Sequence, residues 1–312
     1  MRFAFTDDQL ELRDAVRDFL EKECPPAVVR DAWTNDSGRS GLWTKLGGLG
    51  VLGVLAPEAA GGFGGTFLDL VLLLEESGRV ALPEPLVEHA AVALPDLADP
   101  AAAAAAGDIT VTAALPGTPF VPYADQADVV VLDGHAVDRG SLPLERHDSV
   151  DGSRRLFAVG RGLFPMTADD AFDRGALGTA AQLVGLGQHL LDVTVEYARH
   201  RQQFGAPIGS FQAVKHKLAD VRLALEFARP VLYRAAYSVA GADDDRATHV
   251  SMAKAYASDA AHLAARHALQ VHGAIGYSYE HDLHLWLKRV WALAATWGDA
   301  AWHRARVGRA IL

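Results

Sequence analysis

The chain has 312 residues, half of them hydrophobic and 22 % charged, which is enough to bury a large core in two or three packed regions. Its formal charge of −10 excludes the basic face that a nucleic acid's phosphates require, and no cationic amphipathic stretch suited to a membrane surface is present. The single cysteine, Cys24, rules out an intrachain disulfide and makes a thiolate metal site unexpected, which fits a reducing cytoplasm. The first residues turn acidic at Asp7-Asp8 before an apolar segment forms, so no secretory signal is expected. No apolar run reaches membrane-spanning length either.

Thr6 with Gln9 reads as a capping box, and Leu12, Val16, Phe19 and Leu20 recur at helical spacing until Pro25-Pro26 stops the run. A second helical stretch at 42–49 leads into the glycine-rich segment 57–65, a loop by composition. Further helices are predicted over 67–76 and 86–97, separated by Pro83 and Pro85, and the alanine run 101–106 reads as the extension of a helix end. From Asp108 to Phe164, short β-branched runs at 109–112, 127–132 and 156–159 alternate with turn residues. Helical periodicity then returns, with helices predicted at about 172–200, 209–240, 245–271, 281–288 and 293–311. The expected plan is an N-terminal helical domain over 1–107, a shortened middle β domain over 108–168 and a C-terminal four-helix bundle over 169–312.

Between two long predicted helices stands Arg201-Gln202-Gln203-Phe204-Gly205-Ala206-Pro207-Ile208-Gly209-Ser210-Phe211-Gln212. It resembles the Arg-x-x-Phe-Gly-x-x-Ile-x-x-Phe-Gln signature of the acyl-CoA dehydrogenase family. Further on, Gln270-Val271-His272-Gly273-Ala274-Ile275-Gly276-Tyr277 resembles the family's Gln-x-x-Gly-Gly-x-Gly-Tyr signature, and the first hundred residues resemble its N-terminal helical domain. Taken singly, each motif has a plainer reading: Arg201 as a cation at a helix C-terminus, Gly205 as a left-handed cap, Gly273 and Gly276 as an interhelical turn. Their order and spacing together favour the family, and hence a mainly α, acyl-CoA dehydrogenase-like fold that works with FAD.

The resemblance implies that Arg201 grips the FAD pyrophosphate, for which a guanidinium fork suits better than a lysine. Phe204 would offer an aromatic surface, Gln212 and Gln270 polar contacts, His272 a further flavin contact, and Gly273 and Gly276 close backbone approach at the adenosine end. In the family's tetramers these elements reach across a subunit boundary to the neighbour's flavin. What the family uses for its own flavin is missing: neither the Thr-Glu-Pro-x-x-Gly-Ser-Asp-like loop nor the Trp-x-Thr-like strand appears. Fewer than sixty residues of β character hold about half a barrel at 5–6 residues per strand plus turns.

Dehydrogenation needs a carboxylate to take the α-proton while hydride leaves for the flavin. In the family that glutamate precedes a glycine near the C-terminal helix, and here Trp297 stands in its place, before Gly298. The other family position, early in the first bundle helix, offers Arg174-Gly175-Ala176. Asp299 and Asp173 are the alternative carboxylates, each equally readable as a helix cap or dipole partner. His189, His200, His216, His272, His281, His284 and His303 show no metal-ligand spacing, so no metal is expected.

The pattern implies a flavin-contacting, base-lacking subunit that completes the site of a longer acyl-CoA dehydrogenase subunit. The expected assembly is a heterotetramer with two copies of each, in which the partner holds most of the acyl-CoA, as in steroid side-chain degradation. The alternatives are a self-sufficient homo-oligomeric flavoenzyme that uses Asp299 or Asp173, and a purely structural scaffold in which Arg201 and Gln270 no longer act.

Overall fold

The computed structural model describes residues 4–34, 41–167 and 169–312; residues 1–3 and 168, at the ends of two expected domains, lie outside the described residues. Helix α1 (Asp7–Glu23) opens on the anticipated capping box, with the Gln9 amide donating to Thr6 Oγ1 and Thr6 N–H to Gln9 Oε1. Pro26 does more than stop this helix. It opens α2 (Pro26–Thr34), where a proline loses nothing because a first-turn N–H has no helical partner anyway. Helix α3 (Gly41–Gly48) precedes the glycine-rich loop, and α4 (Phe67–Arg79) starts from a second capping box, Thr66 with Asp69. The segment predicted as a helix over 86–97 is π-helical at Val87–Ala93 and 3-10 at Leu94–Asp96, while the alanine run forms its own short helix α5 (Ala101–Ala106), capped by Gly107 at φ +80°.

The middle region forms two small three-stranded sheets. In one, β1 (Val111–Ala113) runs parallel to β3 (Val129–Leu132), which pairs antiparallel with β4 (His135–Asp138). In the other, β6 (Leu156–Ala158) lies between β2 (Phe120–Pro122) and β5 (Glu145–His147). The short apolar runs at β1, β3 and β6 were legible, whereas β4 and β5 are mostly polar or exposed and β2, Phe-Val-Pro, is three residues ending in a proline.

Three long helices follow: α6 (Asp170–His200), α7 (Gln212–Ala240) and α8 (Arg246–His272). α6 and α8 pack with α9 (Leu283–Ala295), and α10 (Ala300–Ile311) lies along α8. The predicted break after 288 is wrong. No Gly or Pro interrupts 283–295, and the chain turns only at Trp297-Gly298, both with left-handed backbone at φ +54° and +84°. Gly205 is likewise no helix cap: with Phe204 at φ +53° and Gly205 at +77°, it forms a two-residue hairpin turn between β7 (Gln202–Gln203) and β8 (Ala206–Pro207).

The N-terminal helices join the bundle through α4 and α6, whose backbones touch. A methyl group on Gly185 would lie 1.9 Å from the Glu75 carbonyl oxygen, and one on Gly78 would lie 2.1 Å from that of Gln182. Ordinary helix propensity favours alanine over glycine, so Gly185→Ala isolates the packing effect. The substitution is expected to lower stability by about 2–3 kcal/mol, read as a fall in the urea midpoint at constant slope.

Around this junction lies a buried ionic cluster that the sequence did not announce. Arg289 of α9 pairs with Asp151, donates 2.7 Å to the Leu82 carbonyl and 2.8 Å to Ser153 Oγ, and Arg154 pairs with Glu88 at 2.8 Å. Arg289, Asp151, Arg154 and Glu88 are each no more than 4 % exposed. Burial works against the Arg289 charge, but Asp151, Tyr123 and Glu88 together outweigh it and hold the guanidinium above its usual pKa. The cluster ties the N-terminal helices, the middle region and the bundle at one point.

Candidate functional site

Both signature segments lie at one end of the bundle. His272, the last residue of α8, stacks on Tyr197 of α6 with ring centroids 4.3 Å apart, and the Arg201 N–H donates 2.8 Å to the Tyr197 carbonyl. This places the second signature beside the first. The hairpin turn lifts Phe204 almost wholly into solvent, at 95 % exposure, with Phe211 at 6.3 Å between centroids. Arg201, Gln212 and Gln270 are exposed as well, and no ion pair among the described residues engages the Arg201 guanidinium. Gly273, at φ +63°, has nothing within 4 Å of where a Cβ would point, so a ligand could approach its backbone.

Two of the expected contacts differ. His272 is 4 % exposed; its Nδ1–H donates 2.8 Å to the Ala268 carbonyl, and burial lowers its pKa, so the ring serves packing. Gly276 is buried, and a Cβ there would meet His272 Cβ at 3.1 Å and Leu269 at 3.2 Å. Its smallness accommodates its own helix end. A ligand reaching this surface meets Arg201, Phe204, Gln212, Gln270 and Gly273.

At the other end of α6, the two family positions for a base meet in space. The Trp297 indole lies over Gly175, so close that a Cβ on that glycine would come within 2.6–2.8 Å of the ring. The two stretches at which the resemblance implies a base, 174–176 and 297, are therefore in contact, and an indole stands at that contact. An indole has no lone pair to accept a proton.

The alternative carboxylates are both engaged. Asp299 caps α10, accepting 2.8 Å from the Trp302 N–H. Asp173 is 4 % exposed and forms a bidentate pair with Arg306; burial raises its pKa and Arg306 opposes the rise. Arg174 is spent on the Ala91 carbonyl at 2.8 Å and on Asp96.

Beneath the Trp297 turn lies a second cluster that sequence reasoning missed. Lys254, with no exposed surface, donates to the Gly298 carbonyl at 3.0 Å and the Ala294 carbonyl at 3.1 Å. Burial pushes its pKa down to about 7. His303 donates through Nε2 to the Trp297 carbonyl at 2.8 Å and accepts at Nδ1 from Ser251 at 3.0 Å; burial first, and Lys254 second, push it down to about 3. In sequence these were one lysine and one histidine on amphipathic helices. Only the fold brings them under one turn.

A cavity of about 470 Å³ opens beside Trp297, between the 92–99 stretch, the β3–β4 turn and the start of α6. Its floor is apolar, with Val92, Leu97, Val131, Phe164 and Phe172, whereas Asp96, Asp99, Asp133 and Asp169 line it with carboxylates and no Lys or Arg contributes. Asp96 is paired with Arg174 and Asp133 with Arg161, so the remaining negative charge of the lining disfavours the phosphates of a coenzyme A thioester only weakly. Among the described residues no helix is long and apolar enough to cross a membrane, and no group of His, Cys, Asp and Glu is placed to hold a metal.

Comparison with known proteins agrees with this architecture. Residues 6–97 match the acyl-CoA dehydrogenase N-terminal domain model and 166–312 the C-terminal domain model. The chain is 33 % identical to the acyl-CoA dehydrogenase IpdE2 of Mycobacterium tuberculosis over 294 residues, 91 % of each chain. It is 31 % identical to FadE34 of the same organism, covering 95 % of this chain and 47 % of that one. Among solved structures, the ChsE4-ChsE5 complex of Mycobacterium tuberculosis superposes with a TM-score of 0.88 at 26 % identity over 99 % of this chain and 98 % of that one. A protein described as a steroid ACAD, Tcur3481-Tcur3483, gives 0.86 at 26 % identity over 98 % of each. With both terminal domains and a near-full-length relative in agreement, this chain belongs to the acyl-CoA dehydrogenase family.

Proposed function

We propose that the chain is the flavin-contacting, base-lacking subunit of a cytoplasmic FAD-dependent acyl-CoA dehydrogenase, an oxidoreductase that introduces an α,β double bond. It acts as a heterotetramer with a longer subunit that holds most of the acyl-CoA. The observation that supports this reading is the Gly175–Trp297 contact, where an indole stands at the stretch for which the resemblance implies a glutamate. A chain without a base at that point depends on another for proton removal. The exposed set Arg201, Phe204, Gln212, Gln270 and Gly273 fits the nucleotide end of a neighbour's FAD: a free guanidinium for the pyrophosphate, an aromatic face and an open glycine backbone. FAD, when bound, supplies the hydride acceptor. This chain supplies grip.

The small sheets of the middle region do not suit a second flavin ring, and the carboxylate-lined cavity weakly disfavours a second coenzyme A. The similarity to the ChsE4-ChsE5 complex and to a steroid ACAD supports a partnered assembly and a steroid side-chain thioester as substrate. Co-expression with a long acyl-CoA dehydrogenase subunit, followed by flavin absorbance per chain, tests the reading. The expected result is one FAD per pair of subunits and at least a tenfold loss of FAD affinity in Arg201→Ala, the size of one charge-assisted pair at about 1.5–3 kcal/mol. Unchanged flavin content in Arg201→Ala would favour a scaffold, and acyl-CoA oxidation by the chain alone would overturn the proposal.

A further inference from the structure

We propose that Trp297 is a built-in stopper: its indole occupies the acyl slot of this subunit's own half-site and keeps acyl thioesters out. The inference rests on the reading above and adds physical occlusion to the lack of a base. Trp297 is 3 % exposed, lies over Gly175, meets the edge of Phe172 at 6.2 Å between centroids, and forms part of the wall of the 470 Å³ cavity. Removing the indole would therefore extend an apolar-floored cavity up to Gly175 at the start of α6. The acyl slot exists in outline, with one side chain inside it.

The stopper is held against two costs. Its backbone takes φ +54°, a region that penalises a bulky residue, and its Nε1–H is buried without an acceptor among the described residues. Such strain persists only where the surroundings over-determine it. Here they do: Lys254 holds the carbonyls of Ala294 and Gly298, and His303 holds that of Trp297 itself. Gly175 completes the fit, because any larger residue would collide with the ring.

The test uses the full chain and a neutral acyl thioester, S-octanoyl-N-acetylcysteamine, which lacks the phosphates that the carboxylate lining weakly disfavours. Trp297→Gly suits the left-handed backbone and should keep the turn. At saturating thioester its melting temperature is expected to rise by about 3 °C, with free indole competing, while the native chain shows no shift. An equal shift in both proteins would overturn the proposal, as would a folded Trp297→Gly that binds indole and no thioester. Should that variant not fold, Gly175→Ala reads the same contact. Its Cβ must displace the ring, so near-UV circular dichroism changes and the melting temperature falls, whereas Gly308→Ala, in a helix and with nothing within 4 Å, leaves the near-UV spectrum in place and does not lower the melting temperature. An unaltered near-UV spectrum in Gly175→Ala would sink the stopper. Unchanged flavin content of the partnered complex in Arg201→Ala would instead sink only the function proposed above.

Discussion

Replacing Arg289 with alanine is expected to destabilise the fold by about 3–5 kcal/mol, because it leaves Asp151 charged, buried and unpaired. Asp151 has no exposed surface, and its carboxylate accepts from Arg289, the Ser153 hydroxyl at 2.7 Å and the Ser153 N–H at 3.0 Å. Removing the cation takes away the charge that offsets its desolvation. The loss also reaches beyond one pair, since Arg289 of α9 holds the Leu82 carbonyl from the N-terminal helices. Arg289→Met with Asp151→Ala, which removes both charges, is expected to recover most of the stability, as buried pairs do when replaced by apolar groups. Urea unfolding of Arg289→Met, Asp151→Ala and the double gives the coupling directly. If Arg289→Ala fell within 1 kcal/mol of the native chain, the cluster would not tie the three regions together.

That tie also marks where sequence reasoning stops. Asp151-Gly152-Ser153-Arg154-Arg155 reads as a polar turn, since nothing in a one-dimensional pattern distinguishes a solvated turn from one folded under three segments. Local signals fared better. The Thr6 capping box, the glycine-rich loop and the long periodic helices α6, α7 and α8 were visible because their causes lie within a few residues of each other. The predicted break after 288 shows the opposite case: a left-handed tryptophan at 297 is held by Lys254 and His303 from other helices, and no local rule foresees it. The candidate site divides the same way. Arg201, Phe204 and Gln270 were found from motif and stand exposed at one end of the bundle, whereas burial of His272 and Gly276 follows from ring stacking and helix-end packing that only the fold supplies.

Acid should act on the chain through the histidine under the Trp297 turn. His303 begins from an ordinary value near 6.5 when unfolded and is pushed down to about 3 in the fold, first by burial and then by Lys254. The unfolded chain therefore binds the extra proton first, and stability present above pH 6.5 is lost as pH falls toward 3. Between pH 7 and pH 4 the loss through this one residue is about 3 kcal/mol. His189, stacked on Trp286 at 4.1 Å and pushed down to about 4 by burial, adds a loss of similar sign over a narrower window. Paired carboxylates also weaken in acid, so the informative quantity is a difference. His303→Gln keeps a donor and an acceptor but cannot take the proton, and its stability gap to the native chain is expected to shrink by about 3 kcal/mol from pH 7 to pH 4. Parallel urea-midpoint curves for the two proteins across that range would mean that His303 is accessible to protons in the fold. The Trp297 carbonyl would then lack the neutral donor on which its turn depends.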